Sequence, residues 1–228
     1  MIKSNLLNFL SGKQVLAEKN SPVNGHLVVI RDLTWGTYIM AGGLTQSGGV
    51  AKNIWDTVLK KVKGREGEMA SCLILGLGGG SIAKIVRRLW KNSGIVGVEI
   101  DPMMVELGEQ YLGLKEVGVN QKITDASDFL KENRETFDLI CVDTYVGDAY
   151  PQKFEEEDFL VLIKGHLQKQ GMVIFNRLYY GEKRPLAMKF LKKLEKVFGK
   201  VEIVFPEANV MFICQPSPAT IDLDKGVK

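Results

Sequence analysis

The sequence predicts a doubly wound α/β protein: a mostly parallel sheet of seven strands with helices on both faces, preceded by a small β-hairpin segment. Three observations carry this. From residue 71 onward, short apolar runs alternate with amphipathic helical stretches, as in parallel strands joined by crossover helices. The turn Gly76-Leu77-Gly78-Gly79-Gly80-Ser81 leaves the first of those runs and opens a helix. Only Pro206-Glu207-Ala208-Asn209 separates the last two apolar runs, which is too short for a helical crossover, so those two strands lie antiparallel.

The elements follow in chain order. Residues 27–30 and 36–40 are two short strands, joined through Arg31–Trp35 as a hairpin. The glycine-dense stretch 41–49 reads as a flexible loop able to bring backbone close to a ligand. In residues 50–63, Ile54, Trp55, Val58, Leu59 and Val62 recur at helical spacing among lysines. A polar break covers 64–68. Strands are expected at 72–75, 95–99, 121–124, 137–142, 171–175, 201–205 and 210–214. Helices are expected at 81–90, 102–111, 127–133, 155–167 and 186–198, with Pro102 suited to a first helical turn. The chain divides into an N-terminal segment, 1–49, an α/β domain, 50–217, and a polar tail, 218–228, of which 222–228 is expected to fray.

Composition excludes several classes. Of 228 residues, 45% are hydrophobic, enough for one α/β core with a small appendage and too many for a disordered chain. A formal net charge of +3 with interspersed signs gives no basic stripe for nucleic acid. No apolar run approaches the roughly 20 residues that span a bilayer. Asn5 and Asn8 interrupt the apolar stretch at 1–10, and no clear cleavage site follows. Cys72, Cys141 and Cys214 are an odd, widely spaced set inside strand-like runs, read as buried hydrophobes of a reducing, cytoplasmic protein. His26 and His166 fit no metal-ligand pattern, and neither a Ser-His-Asp elbow nor a phosphate-loop lysine occurs, so no metal is expected.

The chemistry-bearing residues sit at strand ends. Glycines 76, 78, 79 and 80, with Leu77, would let a ligand lie against bare backbone at a helix N-terminus. Glu99, followed by Ile100, ends the next strand 23 residues after Gly76, where an acid accepts from ribose hydroxyls; Asp101 reads as the cap of the following helix. Asp125, followed by Ala126, ends the third strand, where it can cap a helix and accept from an adenine amine. Asp143 ends the fourth, where a carboxylate can orient or deprotonate an attacking amine. Tyr145, Asp148 and Tyr150 share its loop as candidate acceptor-binding residues, and Asn176, Arg177 and Tyr179 are rim candidates beyond the fifth strand.

Together these residues resemble the spermidine synthase family and its methyltransferase-like relatives, within the class I S-adenosylmethionine-dependent methyltransferase fold. The likeness covers roughly residues 25–215 and rests on the 76–81 loop, Val98-Glu99-Ile100-Asp101, Asp125-Ala126 and the run 137–143. The N-terminal hairpin and Gly43-Leu44-Thr45-Gln46 are similar to that family's small β domain and gating glutamine. The resemblance implies S-adenosylmethionine or its decarboxylated form as cofactor, held by Gly76, Gly78, Glu99 and Asp125, with Asp143 catalytic, Gln46 reaching cofactor or acceptor, and a homodimer through the N-terminal segment. Two departures bear on the reaction. Gly79 stands where aminopropyltransferases carry an aspartate, and Val146 stands where they carry a second, three residues after the catalytic one. Both missing acids would bind cationic amines. The Gly-Leu-Gly-Gly-Gly-Ser form resembles that of spermidine-synthase-like protein methyltransferases. Three functions follow: methyl transfer to a small-molecule or protein nucleophile, aminopropyl transfer to a diamine, or non-catalytic cofactor binding as a scaffold. Neither nucleic acid nor membrane is an expected partner.

Overall fold

A computed structural model describes residues 12–63 and 69–216. The apolar stretch at 1–10, the polar break at 64–68 and the tail at 218–228 lie outside the described residues.

The N-terminal segment is more than a hairpin. Strands β1 (Lys13–Ser21), β2 (Gly25–Asp32), β3 (Gly36–Ala41) and β4 (Leu44–Gly48) form a four-stranded antiparallel sheet in that order. The stretch expected as a flexible loop is therefore largely a strand. Gly42 and Gly43, at φ +56° and +81°, make the two-residue turn that pairs Ala41 with Leu44. Strand β1 escaped the sequence because most of its side chains face solvent, leaving no apolar alternation to read. Asp32 builds the β2–β3 turn by accepting from the Thr34 and Trp35 amides at 2.7 and 3.1 Å.

The second sheet has the expected seven strands: β5 (Ser71–Leu75), β6 (Gly94–Glu99), β7 (Asn120–Ile123), β8 (Phe137–Val142), β9 (Leu167–Leu178), β10 (Val201–Val204) and β11 (Asn209–Cys214). Their order is β10-β11-β9-β8-β5-β6-β7, and only β11 runs against its neighbours. The helices are α1 (Gly49–Lys63), α2 (Ser81–Leu89), α3 (Pro102–Tyr111), α4 (Ala126–Glu132), α5 (Glu157–Gly165) and α6 (Lys183–Phe198). Strand β9 outruns the expected 171–175 at both ends, since its polar start, Gln168-Lys169-Gln170, carries no apolar signal.

Alternation along the central strands sends side chains to two cores. Cys72 and Ile74 pack with Trp55, Val58 and Val86 from α1 and α2. Leu73 and Leu75 pack with Leu130, Phe159 and Phe190 from α4, α5 and α6. All three cysteines are buried and free. A third cluster joins Leu27, Val29 and Ile39 of the small sheet to Met104, Leu107 and Leu112 around α3. Asp101 fastens the same junction. It caps α3 through the Met103 amide at 3.0 Å and accepts from Ser21 Oγ and Asn24 Nδ2 at 2.6 and 2.7 Å. The small sheet thus lies over the carboxyl ends of β5, β6 and β8. There the strand order reverses and an open α/β sheet forms its ligand crevice.

Candidate functional site

The crevice is built from the glycine turn upward. Gly76 has φ +89°, and a Cβ there would stand 2.2 Å from the carbonyl oxygen of Asp143. Strand β5 and the end of β8 therefore approach as only glycine permits. Gly78, at φ +54°, is different: the nearest atoms to a Cβ there lie 3.8 Å away, in ordinary contact with Gln46, Ser47 and Met104, and the residue lines the larger cavity. Gly80, at φ +88°, precedes α2 and packs against Leu114. Gly79 is closed in by Leu112 and Ile39, at 2.7 and 2.9 Å from a Cβ. Leu77 is buried in the core below the loop.

Asp101 caps α3 as the sequence suggests, while Glu99 turns its carboxylate to backbone amides. Glu99 Oε2 accepts from the Gly78 amide at 2.8 Å, and Oε1 accepts from the Asp101 amide at 3.0 Å. Burial pushes the Glu99 carboxyl above its ordinary range, and these two amides work against that rise. Asp125 caps α4 through the Ser127 amide at 2.9 Å and accepts from Lys153 Nζ at 2.5 Å. Burial acts to raise Asp125, but Lys153 and the helix amides outweigh it and hold the carboxyl below the usual range.

Asp143 is the centre of the site. Its Oδ2 accepts from Trp55 Nε1 at 2.7 Å and its Oδ1 from Asn176 Nδ2 at 2.8 Å. Asn176 Oδ1 in turn accepts from Asn209 Nδ2 at 2.7 Å. Burial raises Asp143 to about 6, with the two donors opposing. It meets neutral donors and no cation, so it keeps a base's strength near neutral pH. Sequence reading placed Trp55 on the buried face of its helix, which is correct, but gave no sign that the indole N–H reaches a carboxylate. Asn209 was likewise missed. Only its place at the start of β11, across from β9, could have signalled it.

A cavity of about 320 Å³ gathers Gln46, Gly76, Gly78, Glu99, Asp143, Tyr145 and Asn176. A smaller one, about 120 Å³, adds Ile100, Asp125 and Ala126, and shares Gly76, Glu99, Asp143 and Tyr145 with the first. Gln46 Nε2 donates to the Gly147 carbonyl at 3.1 Å, so β4 touches the loop after β8 across the larger cavity. Tyr145 lines both cavities, with its hydroxyl accepting from the Leu178 amide at 2.7 Å.

Other candidates lie apart. Asp148 is exposed and pairs with Lys183 at 3.3 Å. Tyr150 stacks against Tyr145, Phe154 and Phe190, with the Arg177 guanidinium 4.0 Å from its ring centroid. Arg177 is buried and pairs with Glu155 at 2.6 Å. Tyr179 packs on Phe205. Asp148, Tyr150 and Arg177 line a separate cavity behind Tyr145, and aromatic packing holds Tyr150 there. His166 is held by the carbonyls of Glu135 and Leu130, both at 2.8 Å, and His26 pairs with Glu18 on the surface. Among the described residues no group of three or more His, Cys, Asp or Glu could hold a metal ion, and no helix is long and apolar enough to cross a membrane.

Trp55→Phe tests the carboxylate's environment. Removing the indole N–H takes away a bond that favours the ionised form, so the Asp143 midpoint is expected to move above about 6. Intrinsic fluorescence of the unaltered protein should carry a transition near that pH, which the variant loses. An unchanged pH profile of fluorescence would mean that Trp55 does not sense Asp143.

Comparison with known proteins gives one family. The spermine/spermidine synthase domain matches residues 57–217. The chain is 30% identical over 168 residues to the human eEF1A lysine and N-terminal methyltransferase, covering 64% of this chain and 23% of that protein. It is 30% identical over 139 residues to the polyamine aminopropyltransferase of Chromobacterium violaceum, covering 60% of this chain and 52% of that protein. The chain thus spans only a quarter to a half of these two relatives. Among solved structures it is similar to human methyltransferase-like protein 13 in complex with SAH, at TM-score 0.58 and 26% identity, covering 75% of this chain and 81% of that one. It also shares the fold of spermidine synthase from Thermotoga maritima, at TM-score 0.74 and 15% identity, covering 94% of this chain and 80% of that one.

Proposed function

The chain belongs to the spermine/spermidine synthase domain family, and from that premise we propose that it is a transferase that binds S-adenosylmethionine and passes its methyl group to an amine or other nucleophile held at Asp143. The residues present fit such a cofactor. Gly78 leaves a cradle that a side chain would enter, Glu99 sits beside it with free lone pairs for ribose hydroxyls, and the small cavity between Ile100 and Asp125 has room for a flat base. The human methyltransferase-like structure, which holds SAH, supports the same class of ligand.

When bound, the cofactor supplies an electrophilic methyl group on a sulfonium. The chain supplies the rest. The Gly76–Gly80 backbone and Glu99 hold one reactant at the carboxyl end of β5. Asp143 would receive the proton that the nucleophile loses as its bond to the methyl carbon forms and the carbon–sulfur bond breaks, the electron pair staying on sulfur. Trp55 and Asn176 fix the plane of that carboxylate, and Asn209 fixes Asn176. Gln46, through Gly147, ties β4 to the loop after β8 above the cavity.

The observation that carries methyl rather than aminopropyl transfer is the wall around Asp143. The only carboxylates lining the larger cavity among the described residues are Asp143 and Glu99, and Glu99 is turned to the glycine loop. Gly79, between the side-chain ends of Leu112 and Ile39, brings no acid to the site, and Val146 replaces the other. A diamine would find one carboxylate where it needs several. Calorimetric titration tests the choice. Affinity for S-adenosylmethionine is expected to exceed that for the decarboxylated form by about 10-fold, or about 1.4 kcal/mol. The reverse preference would establish aminopropyl transfer, and binding of neither would remove the cofactor.

A further inference from the structure

The adenine end of the site contains a residue that the family resemblance does not assign. Lys153 Nζ lies 2.5 Å from Asp125 Oδ2, and both residues line the cavity of about 120 Å³. The rest of that slot is largely apolar, with Val98, Ile100, Pro151 and Phe154 among its walls. Lys153 also sits 5.0 Å from the Phe154 ring centroid, on the short turn Gln152–Glu155. The Asp125 side chain is 14% exposed, so an unpaired charge there would be costly. Lys153 offsets that charge and keeps Asp125 ionised, a pure acceptor.

An ammonium has three donors and Asp125 takes one of them. The pair therefore presents an acceptor beside a donor in a cavity with several apolar walls. That is the complement of an aminopurine edge, where an exocyclic amine donates and the neighbouring ring nitrogen accepts. We propose that Lys153 is a specificity-determining residue that, with Asp125, reads the adenine of the cofactor: Asp125 accepts from the amine and Lys153 donates to the adjacent ring nitrogen. This rests on the cofactor reading above, and extends it to a residue on a different loop from the glycine turn and from the strand-end acids.

The test is a cycle of variants and ligands. The unaltered protein, Lys153→Met and Lys153→Arg are titrated calorimetrically with S-adenosylhomocysteine and with its 1-deaza and 7-deaza analogues, each lacking one ring nitrogen. Lys153→Met is expected to weaken the parent ligand about 10-fold, and Lys153→Arg to restore it within about 3-fold. One deaza analogue should bind the unaltered protein about 10-fold more weakly than the parent, yet bind Lys153→Met as well as the parent does. Unchanged or tighter binding by Lys153→Met would make Lys153 a surface partner or a competitor for Asp125, and overturns the proposal. Weaker binding with equal loss for every ligand would mean that it only props the wall, and overturns it too. If the unaltered protein ignores S-adenosylhomocysteine altogether, the cofactor reading itself falls. Lys153 is half exposed, so neither substitution threatens folding.

Discussion

Asp143→Asn is expected to lower turnover by about 100-fold or more while leaving cofactor affinity within a few-fold, since the amide keeps nearly the same shape but accepts no proton. The same variant should change how stability depends on pH. Burial raises the Asp143 carboxyl from an ordinary 3.8 to about 6 in the folded protein. A raised group contributes stability that is fully present below its unfolded value and is lost as pH climbs through its folded value. Asp143 should therefore cost the protein about 3 kcal/mol between roughly pH 4 and pH 6, which persists at neutral pH. Asparagine has no such slope. Denaturant unfolding across pH 4–8 should show a fall in the unaltered protein that is smaller in the variant. The amide must still turn its NH2 toward Trp55 or Asn176, both donors, so part of that gain is lost to an unmade bond. Full turnover by Asp143→Asn would remove the proton-accepting role. An identical pH slope would remove the buried, neutral-donor environment argued for it.

The second large effect separates two glycines two residues apart. Gly76→Ala should destabilise the fold by more than about 3 kcal/mol or prevent its accumulation, because a Cβ would strike the Asp143 carbonyl in a left-handed backbone. Gly78→Ala should fold with a loss of about 1 kcal/mol, the ordinary cost of alanine at positive φ. Its methyl group would add to the wall of the cavity proposed for the cofactor, so affinity for S-adenosylhomocysteine should drop about 10-fold or more. Chemical denaturation and calorimetry on the two proteins separate the roles. A stable Gly76→Ala would contradict the close approach of β5 and β8. A Gly78→Ala that binds normally would show that the loop cradles nothing.

The sequence by itself determined the seven-stranded sheet, its reversed last strand and the positions of Glu99, Asp101, Asp125 and Asp143 at strand ends. Those features are local: apolar alternation, helix periodicity and glycine turns are written in windows of a few residues. It also located the glycine turn, although only the structure distinguishes Gly76, which lets two strands meet, from Gly78, which faces a cavity. Tertiary structure decided everything that depends on a distant partner. Strand β1 needed β2 to become a strand, and β4 needed the Gly42-Gly43 turn against β3. The indole of Trp55 meets Asp143 from 88 residues away, and Lys153 meets Asp125 from 28. Tyr150 and Asp148, near Asp143 in sequence, leave the crevice because aromatic packing and a lysine hold them behind Tyr145. A side chain's spacing along the chain fixes the face it occupies, but which donor meets which acceptor is settled only when the packed layers bring those faces together.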